Sequence, residues 1–400
     1  TGWSPTTQTL DTNPGGMAIA AGDDGLVTVA FATYTGSDHV VRTVTRSAGS
    51  DVFDGDLVDV TSSPTVSVWD PSLAYNAHGD GIVMWRVDLG GSDRGLRTAR
   101  YDHATKNRWS DSAPVGHSAN GISSASVAID DAGNAAAFWG TNDHKSAGYG
   151  AAMNPATGEW GPSTKLSTGA NGSQATDPDA VAADNHGNFV AVWQEWAMTD
   201  PDTPDFTSTH VQTSTYNVAD ESWSPSQYFA GQALGGAPSV EADAAGNIVA
   251  VLGGTTDMEH FQYLAFSRPP GGTFSDAPGV VLPDRAGPWS GVPDVTTDTD
   301  GNFYATFGQT DFMNPSQGEV AFAVADAAGW RWALAAMGGV GLVCAVVVVV
   351  TLPPSRGFRR TEPSRAARRA TMRRLVTDPA LLALYGVAAV AMGAFIAVFN

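Results

Sequence analysis

Cysteine, charged side chains and above all basic ones are scarce in this 400-residue sequence. A single cysteine, Cys344, excludes an intrachain disulfide framework and a multi-cysteine zinc site. Charged residues make up only 16% while 42% are hydrophobic, which excludes a disordered polyelectrolyte. Lysine and arginine number 21 against 41 aspartates and glutamates, and the deficit is uneven. Residues 1–330 hold 12 basic against 39 acidic side chains, net −27; residues 331–400 hold 9 against 2, net +7. An acidic body of that size lacks the basic face that phosphate contacts need, so nucleic acid is not an expected partner. The sequence begins at Thr1 without methionine and stops inside an apolar run at Asn400. A piece of a longer protein is the expectation.

What is abundant is glycine and proline, 45 and 23 residues, which favours many short turns over long helices. One glycine-centred pattern recurs at Gly25, Gly79, Gly133, Gly187, Gly246 and Gly301, at intervals of 54, 54, 54, 59 and 55 residues. Three positions earlier stand Gly22, Asn76, Asp130, Asp184, Asp243 and Asp298; one position later come Leu26, Asp80, Asn134, Asn188, Asn247 and Asn302. Six positions later come Phe31, Trp85, Trp139, Trp193, Leu252 and Phe307. Asp-x-x-Gly fits a tight turn in which the carboxylate caps the turn amides and glycine takes a left-handed backbone. The flanking residues alternate, as in Gly187 to Trp193 and Ser126 to Ile129, so each turn joins two strands. The large apolar residue at the sixth position lies on one strand face, as core.

A second marker lies between the glycines: Phe53, Trp109, Trp160, Trp223 and Phe274, the last four followed by Ser or Gly. It follows another turn-rich stretch and adds a third and a fourth strand. Four antiparallel strands in about 55 residues, six times over, predict an all-β fold: a six-bladed β-propeller of four-stranded blades over residues 1–329. Trp3-Ser4-Pro5 matches the start of a fourth strand, and the sixth repeat supplies only three before Trp330. Residues 3–10 are therefore expected to complete the last blade and close the ring.

Ser126 to Asn134, the tryptophan at the sixth position and the later Trp-Ser together resemble the repeats of secreted bacterial sialidase-like propellers. Sialidases carry a Ser-x-Asp-x-Gly-x-x-Trp box and a Phe-Arg-Ile-Pro type strand, and neither occurs here. The resemblance also calls for an arginine cluster and a Tyr–Glu nucleophile pair. Arg86, Arg94, Arg97 and Arg285 stand in or near suitable loops, without spacing that marks a cluster. The expectation is a fold without the sugar-cleaving site, and no catalytic residue is assigned.

Ligands are expected at the end of the blades away from the uniform Asp-x-x-Gly turns, where the irregular loops lie. The polar residues there are Asp143, His144, Glu195 with Trp196, and Asp257, Glu259 and His260. Three readings stand for them: solvated charge on loop tips, a contact surface for a glycan or protein, and a carboxylate pair for glycoside hydrolysis. Asp298-Thr299-Asp300-Gly301-Asn302 resembles the start of a calcium loop, but it lacks the distal glutamate and matches the other turns. No metal and no cofactor are expected.

The final 70 residues differ in kind. Residues 333–352 and 380–399 are each twenty residues without a charge, enough at ~1.5 Å per residue to cross a bilayer. Eight arginines between them, from Arg356 to Arg374, place that loop in the cytoplasm. The prediction is a transmembrane helix over 330–352, an Arg-rich cytoplasmic loop over 353–379 and a truncated second transmembrane helix over 380–400. The propeller then lies outside the cell membrane, with the lipid bilayer as partner. Gly329-Trp330-Arg331-Trp332, Pro353-Pro354-Ser355-Arg356, Asp378-Pro379 and Met392-Gly393-Ala394-Phe395 resemble helices six and seven of a major facilitator superfamily transporter. The expected function is a membrane-tethered propeller acting as a glycan-, protein- or other ligand-binding module; the transporter resemblance implies instead a fragment or fusion of a transporter, and a sialidase-like hydrolase is the third alternative.

Overall fold

A computed structural model describes residues 8–11, 14–22, 25–103, 109–141, 147–167, 174–196, 209–231, 238–255, 260–275, 279–286, 293–298, 300–311 and 314–326. Every regular element among them is a β-strand, and the strands form six antiparallel sheets. Sheet one is β1 (Met17–Ala21), β2 (Val27–Tyr34), β3 (His39–Arg46) and β4 (Val58–Ser63). Sheet two is β5 (Val68–Tyr75), β6 (Gly81–Gly90), β7 (Asp93–Tyr101) and β8 (Ala113–Ser118). Sheet three is β9 (Ile122–Ile129), β10 (Ala135–Thr141), β11 (Gly148–Met153) and β12 (Thr164–Lys165). Sheet four is β13 (Gln174–Ala183), β14 (Asn188–Trp196), β15 (Thr209–Asn217), β16 (Ser222–Trp223) and β17 (Gln227–Gly231). Sheet five is β18 (Ser239–Ala242), β19 (Ile248–Thr255), β20 (His260–Arg268) and β21 (Gly279–Ala286). Sheet six is β22 (Asp294–Thr297), β23 (Asn302–Asp311) and β24 (Asn314–Asp326).

The first strand of each sheet lies beside the first strand of the next: β1 by β5, β5 by β9, β9 by β13, β13 by β18 and β18 by β22. The repeat glycines close the turns between first and second strands. All six take positive φ, from 78° at Gly25 to 88° at Gly187, the backbone region that a Cβ disfavours. In each turn the residue three before the glycine donates its N–H to the carbonyl of the residue one after it, at 2.9–3.0 Å. Asp130, Asp184, Asp243 and Asp298 each accept the N–H of the following asparagine at 2.8–2.9 Å on one oxygen and its side-chain amide at 2.8–2.9 Å on the other. The Asn302 amide is the main cause that holds the Asp298 carboxyl down to about 2. Neighbouring turns are tied as well, Asn76 donating to the Asp130 carbonyl and Ala77 N–H to the Asp131 carboxylate.

The core lies between sheets. Trp85 on β6 packs with Ala30, Ala32 and Val41 of sheet one; Trp139 on β10 packs with Ile82, Met84 and Leu96 of sheet two. Trp193 packs with Phe138 of sheet three, and Leu252 with Val190, Val192 and Val211 of sheet four. Each therefore faces the preceding sheet, and the alternation of the second strand puts it there. Glycine makes room: a Cβ on Gly116 of β8 would stand 2.6 Å from the Trp139 ring.

The second marker also bridges sheets. Trp109 Nε1 donates to Thr43 Oγ1 of β3 at 2.9 Å, and Trp160 Nε1 to Thr98 Oγ1 of β7 at 2.8 Å. Trp109 and Trp160 each make only a single bridge to the end of the third strand, to Tyr101 and Met153, and the fourth strand begins a few residues later, whereas Trp223 lies in the two-residue β16. Pro162 and Pro225, which lack an N–H, follow two of the markers and delay the ladder there.

The first sheet differs from the rest. Three residues before each turn aspartate or its equivalent stand Ile19, Leu73, Val127, Val181, Val240 and Val295. The last five pack against the preceding sheet. Ile19 is 66% exposed and Met17 67%. Beside them Phe31, Val29 and Val44 are covered by Leu10 and Phe53, and the Gln8 side chain clasps the Phe53 backbone at 2.9 and 2.7 Å. Residues 8–11 carry no strand, and residues 3–7 of the expected closing strand lie outside the described residues. So do the segments expected to span a membrane, 330–352 and 380–400, and the loop 353–379. Among the described residues no helix is long and apolar enough to cross a membrane.

Candidate functional site

At the end of the sheets away from the repeat turns, sheets two and three enclose an open recess of about 380 Å³. Trp69, Arg86, Ser92, Arg94, Asn120, Gly121 and Ile122 line it. Three local features aim these side chains. First, the β5–β6 register runs Trp69 to Arg86 and then shifts before Ser72, so Asp70 and Pro71 bulge out. Asp70 takes φ 45°, a left-handed conformation uncommon outside glycine, and the bulge turns its carboxylate onto the Arg86 guanidinium. Gly16 at φ 113° packs so closely that a Cβ there would stand 2.8 Å from an Asp70 oxygen. Secondly, Gly90 and Gly91 at φ 106° and 62° turn β6 tightly into β7, bringing Arg94 back over the Trp69 ring at 5.4 Å from its centroid. Thirdly, Gly121 at φ 95° turns the chain from sheet two into sheet three and sets Asn120 on the rim.

The two guanidiniums have different surroundings. Arg86 crosses from sheet two to sheet three, donating through Nη1 to the carbonyls of Ile122 at 2.5 Å and Ser123 at 3.0 Å while Nη2 meets Asp70. It is a clamp between sheets. Arg94 donates through Nη1 to Asp88 Oδ1 at 2.9 Å, the Gly91 carbonyl at 3.1 Å and the Asp93 carbonyl at 2.8 Å. Asp88 is itself fixed by the N–H of Gly90 at 2.9 Å. The recess thus offers apolar surface from Trp69 and Ile122 beside polar groups from Arg94, Ser92 and Asn120, the mixture that holds small polar ligands.

Of the arginines singled out in the sequence, Arg86 and Arg94 come together here. Arg97 turns to Ser112 Oγ at 2.7 Å, and the side chain of Arg285, on β21, lies outside the described residues. Glu195, near the end of β14, is buried and accepts a hydrogen bond from the Gln212 side chain. Trp196 and His260 are strand residues whose side chains lie outside the described set, and Asp143, His144, Asp257 and Glu259 lie wholly outside it. Among the described residues no group of three His, Cys, Asp or Glu could hold a metal. Trp69, Asp70, Asp88 and Asn120 were not legible as site residues. The usable signals were Asp70-Pro71, which marks a bulge, and Asn120-Gly121, which marks a turn.

A further acidic group sits elsewhere. Glu241 on β18 occupies the position held by Ala74, Ala128 and Ala182 in other repeats. Burial pushes its carboxyl up to about 7; the nearby charge of Asp294 adds to this and a bond from the Ala242 N–H opposes it.

No family model and no curated protein matches the chain. Among solved structures it is similar to a protein of unknown function from Dyadobacter fermentans, with 11% identity and a TM-score of 0.53 over 78% of this chain and 94% of that one. It is similar also to the NanB sialidase of Streptococcus pneumoniae, with 7% identity and a TM-score of 0.49 over 81% and 70%. An α-L-arabinanase of Penicillium chrysogenum gives 10% identity and a TM-score of 0.49 over 78% and 93%. The likeness is one of fold.

Proposed function

We propose that this chain is a non-catalytic glycan-binding propeller held at the cell membrane. The observation that carries the binding reading is the recess between sheets two and three: an indole and an isoleucine beside guanidinium, hydroxyl and amide groups. Sugars present C–H faces and hydroxyls to such a mixture. Glycoside hydrolysis by the usual route needs two carboxyl groups flanking the bond. None of the seven lining residues is a carboxylate, and the adjacent Asp70 and Asp88 are each held by an arginine. The test is the full chain in detergent on a glycan array, with chromogenic glycosides assayed alongside. Glycan binding without turnover supports the reading. Turnover that Glu195→Gln abolishes would overturn it.

In this reading the six sheets are six blades and the ring is closed, with sheet six and the N-terminal residues covering Met17, Ile19 and Phe31. What supports closure is position: Ile19 and Phe31 stand in sheet one where the other repeats carry residues that face a preceding sheet. Residues 333–352 and 380–399 supply the tether, with the Arg-rich loop cytoplasmic and the acidic propeller outside. Alkaline extraction tests the tether: the chain stays with the bilayer if they span it and is released if they do not.

A further inference from the structure

Two arginines in a recess would ordinarily mark a site for an anionic ligand, since guanidinium forks match carboxylate and sulfate. Here both are already neutralised from within the protein. Asp70 meets Arg86, and Asp88 meets Arg94. Neither aspartate hangs loosely: Asp70 is fixed by the bulge at φ 45° with Gly16 packed against it, and Asp88 by the Gly90 N–H. Arg86 is further committed to the Ile122 and Ser123 carbonyls. An incoming carboxylate would approach two fixed negative charges and would have to displace one of them from its arginine. The surrounding body carries net −27 over residues 1–330, which adds long-range repulsion.

A hydroxyl faces no such barrier. Among the described residues the side-chain hydrogen bonds of Arg94 run through Nη1, which leaves Nε and Nη2 to donate to a ligand hydroxyl without breaking the Asp88 pair. Ser92 adds a hydroxyl donor and acceptor on the rim, and Trp69 and Ile122 give apolar surface for the C–H face of a ring. We infer that the recess between sheets two and three selects neutral saccharides and rejects carboxylated or sulfated ones, its two aspartates occupying the places an acidic sugar would take. This rests on the proposal that the recess is a glycan site.

The test titrates the full chain, in neutral detergent, with neutral oligosaccharides and with the same oligosaccharides carrying a terminal carboxylated sugar or a sulfate. The expected result is at least tenfold tighter binding of the neutral member of each pair, with the gap narrowing as salt is raised, because screening weakens the repulsion. Asp88→Asn, which frees Arg94, should shrink the gap or reverse it while leaving the melting temperature close to that of the parent. If the acidic member binds as well or better in the unmodified chain, the selectivity is wrong and the glycan site stands. If neither member binds at millimolar concentration, the glycan site itself falls and the selectivity with it. The comparison within the unmodified chain decides the matter even if Asp88→Asn fails to fold.

Discussion

The two ends of the sheets obey different rules. At the turn end, six repeats close with the same backbone bond at 2.9–3.0 Å, and in four of them an aspartate and an asparagine make the same paired contact. At the loop end, sheets two and three use a bulge, a diglycine turn and a cross-sheet arginine that this pair of sheets alone combines among the described residues. A turn that must satisfy a fixed set of amides tolerates few sequences, so it repeats. A loop that only returns the chain to the next sheet is free to vary, and variation gathers there into a site. The difference teaches where stability and recognition separate in this molecule: substitutions at one end should cost folding, and at the other, binding.

The largest effect expected at the turn end is at Gly246. A Cβ there would stand 2.5 Å from His186 Nδ1 and 2.8 Å from the Asp184 carbonyl, besides requiring φ 79° of a side-chain-bearing residue. Gly246→Ala should cost about 3 kcal/mol, the left-handed penalty of roughly 1–2 plus the clash. Gly187→Ala, with open space around its Cβ, should cost only the first part. Urea midpoints at constant slope measure both; equal costs would break the account of the packed turns. Next comes Asp184→Ala. It removes the acceptor for the N–H groups of His186 and Asn188 and for the Asn188 amide, and should cost about 1–3 kcal/mol with glycan binding unchanged.

At the loop end the order inverts. Arg94→Ala should weaken glycan binding about tenfold or more, as the loss of charged hydrogen-bond donors does, yet lower stability by no more than about 1 kcal/mol, because its ion pair is partly exposed. Calorimetric titration and a thermal melt of the same sample check both halves. The smallest effect is one of pH. Burial raises the Glu241 carboxyl to about 7 from 4.5, so the folded state holds a proton that the unfolded chain releases sooner. Its contribution is present in full below about pH 4.5 and lost as the pH rises through about 7. Glu241→Ala, which restores the residue of four other repeats, should flatten the melting temperature across that window and raise it at pH 8. An unchanged slope would remove Glu241 from the account.

The turn end could be read from the sequence because its constraints are local: a carboxylate, a left-handed glycine and an alternating strand all lie within about ten residues. Trp85, Trp139 and Trp193 were legible as core for the same reason, since strand alternation sets their face. The start of the fourth strand was less legible, because Trp109 and Trp160, which mark it, each make one bridge before the ladder begins. The recess was hidden for a different reason. Trp69 and Asn120 are 51 residues apart, and only sheet packing brings them together. Arg86 and Arg94 were visible as arginines, but their neutralising partners depend on a register shift that no spacing announces.

The proposal that the six sheets close into a ring is tested most directly at Ile19, which is 66% exposed among the described residues. In a Cys344→Ser background, Ile19→Cys places the chain's only thiol on the face of sheet one that the other repeats bury against a preceding sheet. Its rate of alkylation by a small maleimide, measured in the folded chain and in denaturant, gives its protection. The closed ring predicts labelling at least a hundredfold slower in the folded chain; a thiol that reacts equally fast in both would contradict it.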